Sequence, residues 1–301
     1  MTTRLFDAFI LVDWSAASKP VTGPDSIWVG TMRKDVRFRW AFEAKNPATR
    51  AEALKVIELE LAERKKKGER VLLGFDFPLG FPRSFAERLQ LNTENAWKNV
   101  WAQIVHLVRD KADNVNNRFS VGANLNRKMM NEAFPFWGCP ASEAQTMLLA
   151  KRPRAHEESD IPEFRYTEEV AKGAHSIWKL FYNGSVGGQA LVGIPIVSKI
   201  RDNPLRAGRC AVWPFETGLR ALDLSDVQDL DVVIAEIYPS LIKGAAQMGE
   251  VRDQTQLRGL AEHLAGLDDA GKLGALFAGL ARPGNTQIAI VESEEGWILG
   301  A

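Results

Sequence analysis

The chain has little cysteine and no excess charge of either sign. Two cysteines in 301 residues, Cys139 and Cys210, form no CxxC pair and no Cys/His ladder. A disulfide framework and a structural zinc site are therefore not indicated, and both thiols are expected to be buried. Thirty-eight basic residues against thirty-eight acidic ones give a net charge of zero. The overall basic excess of a dedicated nucleic-acid binder is missing, although a local basic groove remains compatible with the balance. No apolar run approaches the ~18 residues that span a bilayer, and the apolar run of the N-terminus, Ala8 to Val12, stops at Asp13, short of a secretory core. The expectation is a cytoplasmic protein with no membrane partner. Also missing are HExxH, GxxxxGK[ST] and GxGxxG, so zincin and ordinary nucleotide-loop chemistry find no support.

What is present is a globular composition, 46% apolar and 25% charged, enough to build a core. Phe6 to Asp13 reads as a strand, nearly continuously apolar as when both faces are covered. Ser26 to Met32 follows, then Val36 to Glu43, where Val36, Phe38, Trp40 and Phe42 alternate with polar residues. These make a three-strand meander. Thr49 and Glu52 have capping-box spacing, Leu54, Ile57 and Leu61 recur at helical intervals, and Gly68 closes the helix. Arg70 to Asp76 is another buried strand. From Pro78 the pattern changes to a segment, largely helical at first, with its best helical stripe from Trp97 to Val108 and a short helical stretch around Ser142 to Ala150. Val232 to Tyr238 restores the strand pattern, helices follow over Gln254–Leu264 and Asp269–Leu280, and two short β-like segments flank Ser293 to Gly296. The reading is one α/β domain with a mixed sheet, its core at 1–80 and 230–301 and a large insertion at about 81–229.

Carboxylates interrupt the buried strands. Asp13 ends ILVD, Asp76 ends GFD, and Glu236 lies within VVIAEIY. A buried charge is costly unless paired or metal-bound. Neighbouring strands lie ~4.8 Å apart, so Asp13 and Asp76 at adjacent ends can share a divalent ion, and hard oxygen donors suit magnesium or manganese. Ser15 is placed to touch a phosphate or to close a turn. A basic cluster, Lys199, Arg201, Arg206 and Arg209, lies in the insertion, where a substrate groove would need it. His175 precedes a glycine-rich turn, Asn183 to Gln189, that reads either as a plain turn or as a phosphate cradle.

The segments VDWSAAS, GFDFPLGFP, EIYPSL and EEGWILG, in this order, resemble an uncharacterised bacterial family of predicted nucleases with an RNase H-like fold. A first-strand aspartate, a meander, a helix and an acid at the fourth strand is that superfamily's layout. The resemblance covers roughly 6–82 and 230–300, with WPFETG and GSVGGQ similar to the family's middle region. It implies a magnesium or manganese site from Asp13, Asp76 and an acid on the last core helix, matched here by Asp268 and Asp269, with Glu236 in support and Glu295 as an additional ligand. The departure is one turn on from Asp268, where Gly271 and Lys272 stand in place of a second helical acid. The leading expectation is a metal-dependent nuclease. A phosphotransferase or small-nucleotide phosphohydrolase uses the same core, and a metal-free binding protein is the third reading. Nucleic acid or a phosphorylated small molecule is the expected partner.

Overall fold

A computed structural model describes residues 4–301 apart from 172, 243 and 282. Among the described residues the strands are β1 (Ala8–Asp13), β2 (Trp28–Lys34), β3 (Trp40–Lys45), β4 (Val71–Phe75), β5 (Cys210–Val212) and β6 (Val232–Glu236). The helices are α1 (Arg50–Lys66), α2 (Phe85–Arg88), α3 (Ala96–Leu107), α4 (Arg118–Met129), α5 (Tyr166–Val170), α6 (Val186–Arg201), α7 (Leu224–Val227), α8 (Arg252–Asp269), α9 (Leu273–Leu276) and α10 (Asn285–Ile290). They build a mixed α/β fold on one six-stranded sheet of order β3-β2-β1-β4-β6-β5. The first three strands form an antiparallel meander, and β4, β6 and β5 continue from β1 in parallel.

The continuous apolar runs of β1, β4 and β6 follow from burial on both faces. Ile10, Val12, Leu73, Phe75 and Ile234 pack with α1, α3 and α6 on one side. Phe9, Leu11, Leu72, Val233 and Ala235 pack with Leu257, Leu260, Ala261 and Leu264 of α8 on the other. The start of α1 is as expected, with the Thr49 hydroxyl accepting the Glu52 N–H at 3.2 Å. Residues 81–229 supply α2 to α7 and the edge strand β5.

Three local expectations are corrected. The third strand starts at Trp40, not Val36, because the Asp35 carboxylate accepts the N–H groups of Arg37 and Arg39 at 2.8 and 2.9 Å and closes a turn there. Val36 and Phe38 are consequently exposed. The stretch near Ser142 forms only a short 3-10 turn, Ala141–Glu143. The first of the two β-like C-terminal segments is instead the end of α10 and a π-helical turn, Val291–Glu295, with Ile288 of α10 and Val291 of the turn serving the α8-side core. The second keeps β character as a single parallel bridge from Ile298 to Glu236. Short apolar runs fit either period, and packing decided for the helix.

The glycine-rich stretch opens α6, and close approach explains its composition. A Cβ on Gly187 would fall 1.7 Å from the Ile177 carbonyl oxygen, and one on Gly188 2.6 Å from that of Leu180. Only glycine lets this helix end lie against the 177–180 backbone.

Candidate active site

In the parallel register Val12 stands opposite Phe75, and Phe75 opposite Glu236. One residue on, Asp13 and Asp76 are neighbours at the carboxyl-end edge of the sheet, where open α/β sheets place ligands. Backbone geometry fixes them: the Asp76 N–H donates to Val12 O at 3.2 Å, and the Trp14 N–H donates to Asp76 Oδ1 at 2.7 Å. The two carboxyls lie close enough that each acts on the ionisation of the other. Burial, then the Asp76 carboxyl and Asp253 beyond it, hold Asp13 well above the usual carboxylate range. Burial pushes Asp76 up to about 7, against the Trp14 N–H that favours its charged form. The pair borders a cavity of about 700 Å³ whose wall also includes Ser15, Arg118, His175, Gln189 and Asp253.

The acid that α8 brings to this site is Asp253, in its first turn, and not Asp268 or Asp269. α8 follows β6 and must run back antiparallel to it, so its beginning faces the carboxyl ends of the strands. Asp268 lies fifteen residues further on, about 22 Å at 1.5 Å per residue. It accepts the N–H groups of Leu5 (2.8 Å) and Phe6 (2.9 Å), ahead of β1, at the opposite edge of the sheet. Asp269 accepts from Trp40 Nε1 at 2.6 Å and pairs with Arg4 and Lys34. Lys272 is exposed at that same far end. Asp268→Ala should cost about 1–3 kcal/mol in chemical denaturation, since two buried N–H groups lose their acceptor, and leave manganese binding unchanged. The topology was the available signal for Asp253: a helix returning from a parallel strand presents its N-terminal acids, not its C-terminal ones, to that strand's carboxyl end.

Glu236 reaches the cavity from the other face, because its register partner is Phe75 and not Asp76. Both of its oxygens are committed: Arg165 donates to Oε1 (2.6 Å) and Oε2 (2.8 Å), and the Leu79 N–H to Oε2 (3.1 Å). It is a structural ion-pair member rather than a ligand. Glu295 is likewise spent on the Arg83 and Tyr166 N–H groups, at 2.8 and 2.7 Å, and Glu294 on those of Ser84 and Ala86. The EEGW turn thereby ties the C-terminus to the GFDFPLGFP loop, and at Gly80 a Cβ would meet the Glu295 carbonyl oxygen at 2.3 Å.

The basic cluster does not join the acids. α6 begins at the cavity and carries Lys199 and Arg201 at its far end, more than 15 Å away. Lys199 is exposed, Arg201 pairs with Glu216 and Asp202, and Arg206 is buried against Glu58. Ser15 does line the cavity, in a loop held by Arg50, whose Nη1 donates to Ser15 O and Ala17 O at 2.9 Å each. His175 is also there, packed against Gly184.

Among the described residues no set of three His, Cys, Asp or Glu side chains closes into a metal-ligating group. The Asp13–Asp76 pair alone suits magnesium or manganese: such ions keep most of their waters and take one or two carboxylates plus substrate oxygens. No family model, curated protein or solved structure matches the chain.

Proposed function

We propose that the protein is a divalent-metal-dependent phosphodiester hydrolase, a nuclease on an RNase H-like core. The observation that carries this reading is the pair of carboxyls at adjacent strand ends, at the edge of a cavity, with Asp13 held well above the usual carboxylate range by burial and by the charge of Asp76. The antiparallel meander followed by parallel strands, with an acid closing the first and the fourth, supports the RNase H-like assignment. Magnesium or manganese, when bound, would supply Lewis-acid polarisation of the phosphoryl group and an activated water. Asp13 and Asp76 would hold the ion once deprotonated. The Trp14 N–H orients Asp76 for this, and Asp253 adds negative potential from α8.

A second reading, a phosphohydrolase or phosphotransferase for nucleotide-sized substrates, is favoured by the cavity volume of about 700 Å³ and by the distance of the Lys199–Arg206 cluster from the acids. Metal-dependent hydrolysis of oligonucleotides and of short dinucleotides tests both. Cleavage that needs manganese and disappears in Asp76→Asn supports phosphodiester hydrolysis, and the longer or shorter substrate selects between the readings. Cleavage that survives chelation, or persists in Asp76→Asn, would overturn it. Asp253→Asn should weaken manganese affinity by about tenfold, as removal of an outer-shell partner does, in calorimetric titration.

A further inference from the structure

Six arginines are buried among the described residues: Arg50, Arg64, Arg118, Arg165, Arg206 and Arg258. Five of them are in ion pairs, with Asp110, with Glu63 and Glu69, with Glu168 and Glu236, with Glu58, and with Glu250 and Glu262 respectively. Arg118 is the exception. Its guanidinium is satisfied only by neutral acceptors: Nη1 donates to Ser18 Oγ (2.9 Å) and Asn116 Oδ1 (3.0 Å), and Nε to Leu180 O at a long 3.5 Å. Nη2 has no partner among the described residues, and no carboxylate lies within ion-pairing distance. The side chain is 4% exposed, and what remains open borders the same cavity as Asp13 and Asp76.

A buried cation without a counter-charge is costly, and proteins keep such groups where a ligand supplies the charge. Burial pulls Arg118 down to about 10, with Arg50 adding to the effect, as expected for a charge short of a partner. Its position is well held. It is the first residue of α4, its ring neighbour Phe119 lies 4.2 Å beneath the guanidinium carbon, and Ser18 ties it to the loop that leaves Asp13 five residues earlier. Neither α4 nor α6, which both begin at this wall, has an acidic residue in its first turn. The cavity thus has cationic as well as acidic lining.

We infer that Arg118 binds a phosphate group of the substrate through its free Nη2 edge, in the cavity it shares with the Asp13–Asp76 pair. The identity of the anion rests on the phosphodiester reading above; the open guanidinium edge on the cavity does not. A phosphate held there would lie in the cavity that Asp13 and Asp76 also line, where a cationic donor stabilises charge on a phosphoryl group. Arg118 would bind and orient substrate, and lysine would replace it poorly because a planar fork can reach phosphate while still donating to Ser18 and Asn116.

The test is calorimetric titration of inorganic phosphate, without metal, into wild type, Arg118→Met and Arg118→Lys, with manganese titrated separately into each. The expected result is phosphate binding by wild type, weakened about tenfold or more in Arg118→Met and several-fold in Arg118→Lys, with manganese affinity unchanged in both. If Arg118→Met does not fold, Arg118→Lys decides. No phosphate binding by wild type, or equal binding by the folded variants, overturns the inference. Phosphate binding without manganese binding would instead remove the metal reading and leave the anion subsite standing.

Discussion

Arg165→Met should destabilise the protein by about 3–5 kcal/mol, the range found when one member of a buried ion pair is removed. Arg165 is fully buried, and the carboxyls it serves, Glu168 and Glu236, are 3% and 4% exposed. Its Nη1 donates to Glu236 Oε2 and to the Glu295 carbonyl oxygen, each at 2.8 Å, and Nη2 donates to both glutamates. One guanidinium therefore joins β6, α5 and the C-terminal turn. Its removal strands two buried carboxyls and frees a backbone carbonyl. Urea denaturation measures the loss. In a triple variant with Glu168→Gln and Glu236→Gln the buried charges are gone, and most of the stability should return; a triple variant as unstable as Arg165→Met would show that packing, not charge, was lost.

Asp76→Asn should stabilise the protein, and only at the higher pH. Asp76 titrates near 7 in the folded protein and near 4 in an unfolded chain. Between those values the folded state keeps a proton that the unfolded state has released. The stabilisation is thus complete below pH 4 and is lost as pH rises towards and through 7. Asparagine cannot ionise, so wild type and variant should match below about pH 4, diverge between pH 4 and 7, and keep a steady gap above 7. Three units correspond to at most about 4 kcal/mol; coupling to Asp13 and partial solvation reduce this to roughly 2 kcal/mol. Thermal midpoints across pH measure it. Magnesium should close the gap by stabilising wild type alone. A gap that is constant from about pH 3 to 8 would contradict the raised titration of buried Asp76.

The strands that carry these acids were legible because burial on both faces writes an unbroken apolar run, and a carboxylate ending such a run stands out. Asp13 and Asp76 were found in that way. The same logic failed for Glu236, since one residue of register moves a side chain to the other face and supplies it with Arg165, a partner 71 positions away. Asp268 was misplaced for a topological reason. The helix expected over 269–280 is instead the end of α8 and the short α9, so Asp268 and Asp269 close a helix rather than open one. The start of α8 puts Asp253 at the site, and Asp268 goes to the Leu5 and Phe6 N–H groups. Val36 and Phe38 looked like strand because their alternation was visible and the Asp35 turn that interrupts it was not. Arg118 carries no local signal, since its lack of a counter-charge is defined only by what folds around it.

The central claim is that Asp13 and Asp76 together hold a divalent ion. Calorimetric titration of manganese into wild type and Asp13→Asn/Asp76→Asn tests it most directly. The account predicts saturable binding by wild type, with proton release that grows as pH falls below 7, and no binding by the double variant. Wild type that binds no manganese, or a double variant that binds it equally well, would contradict the account.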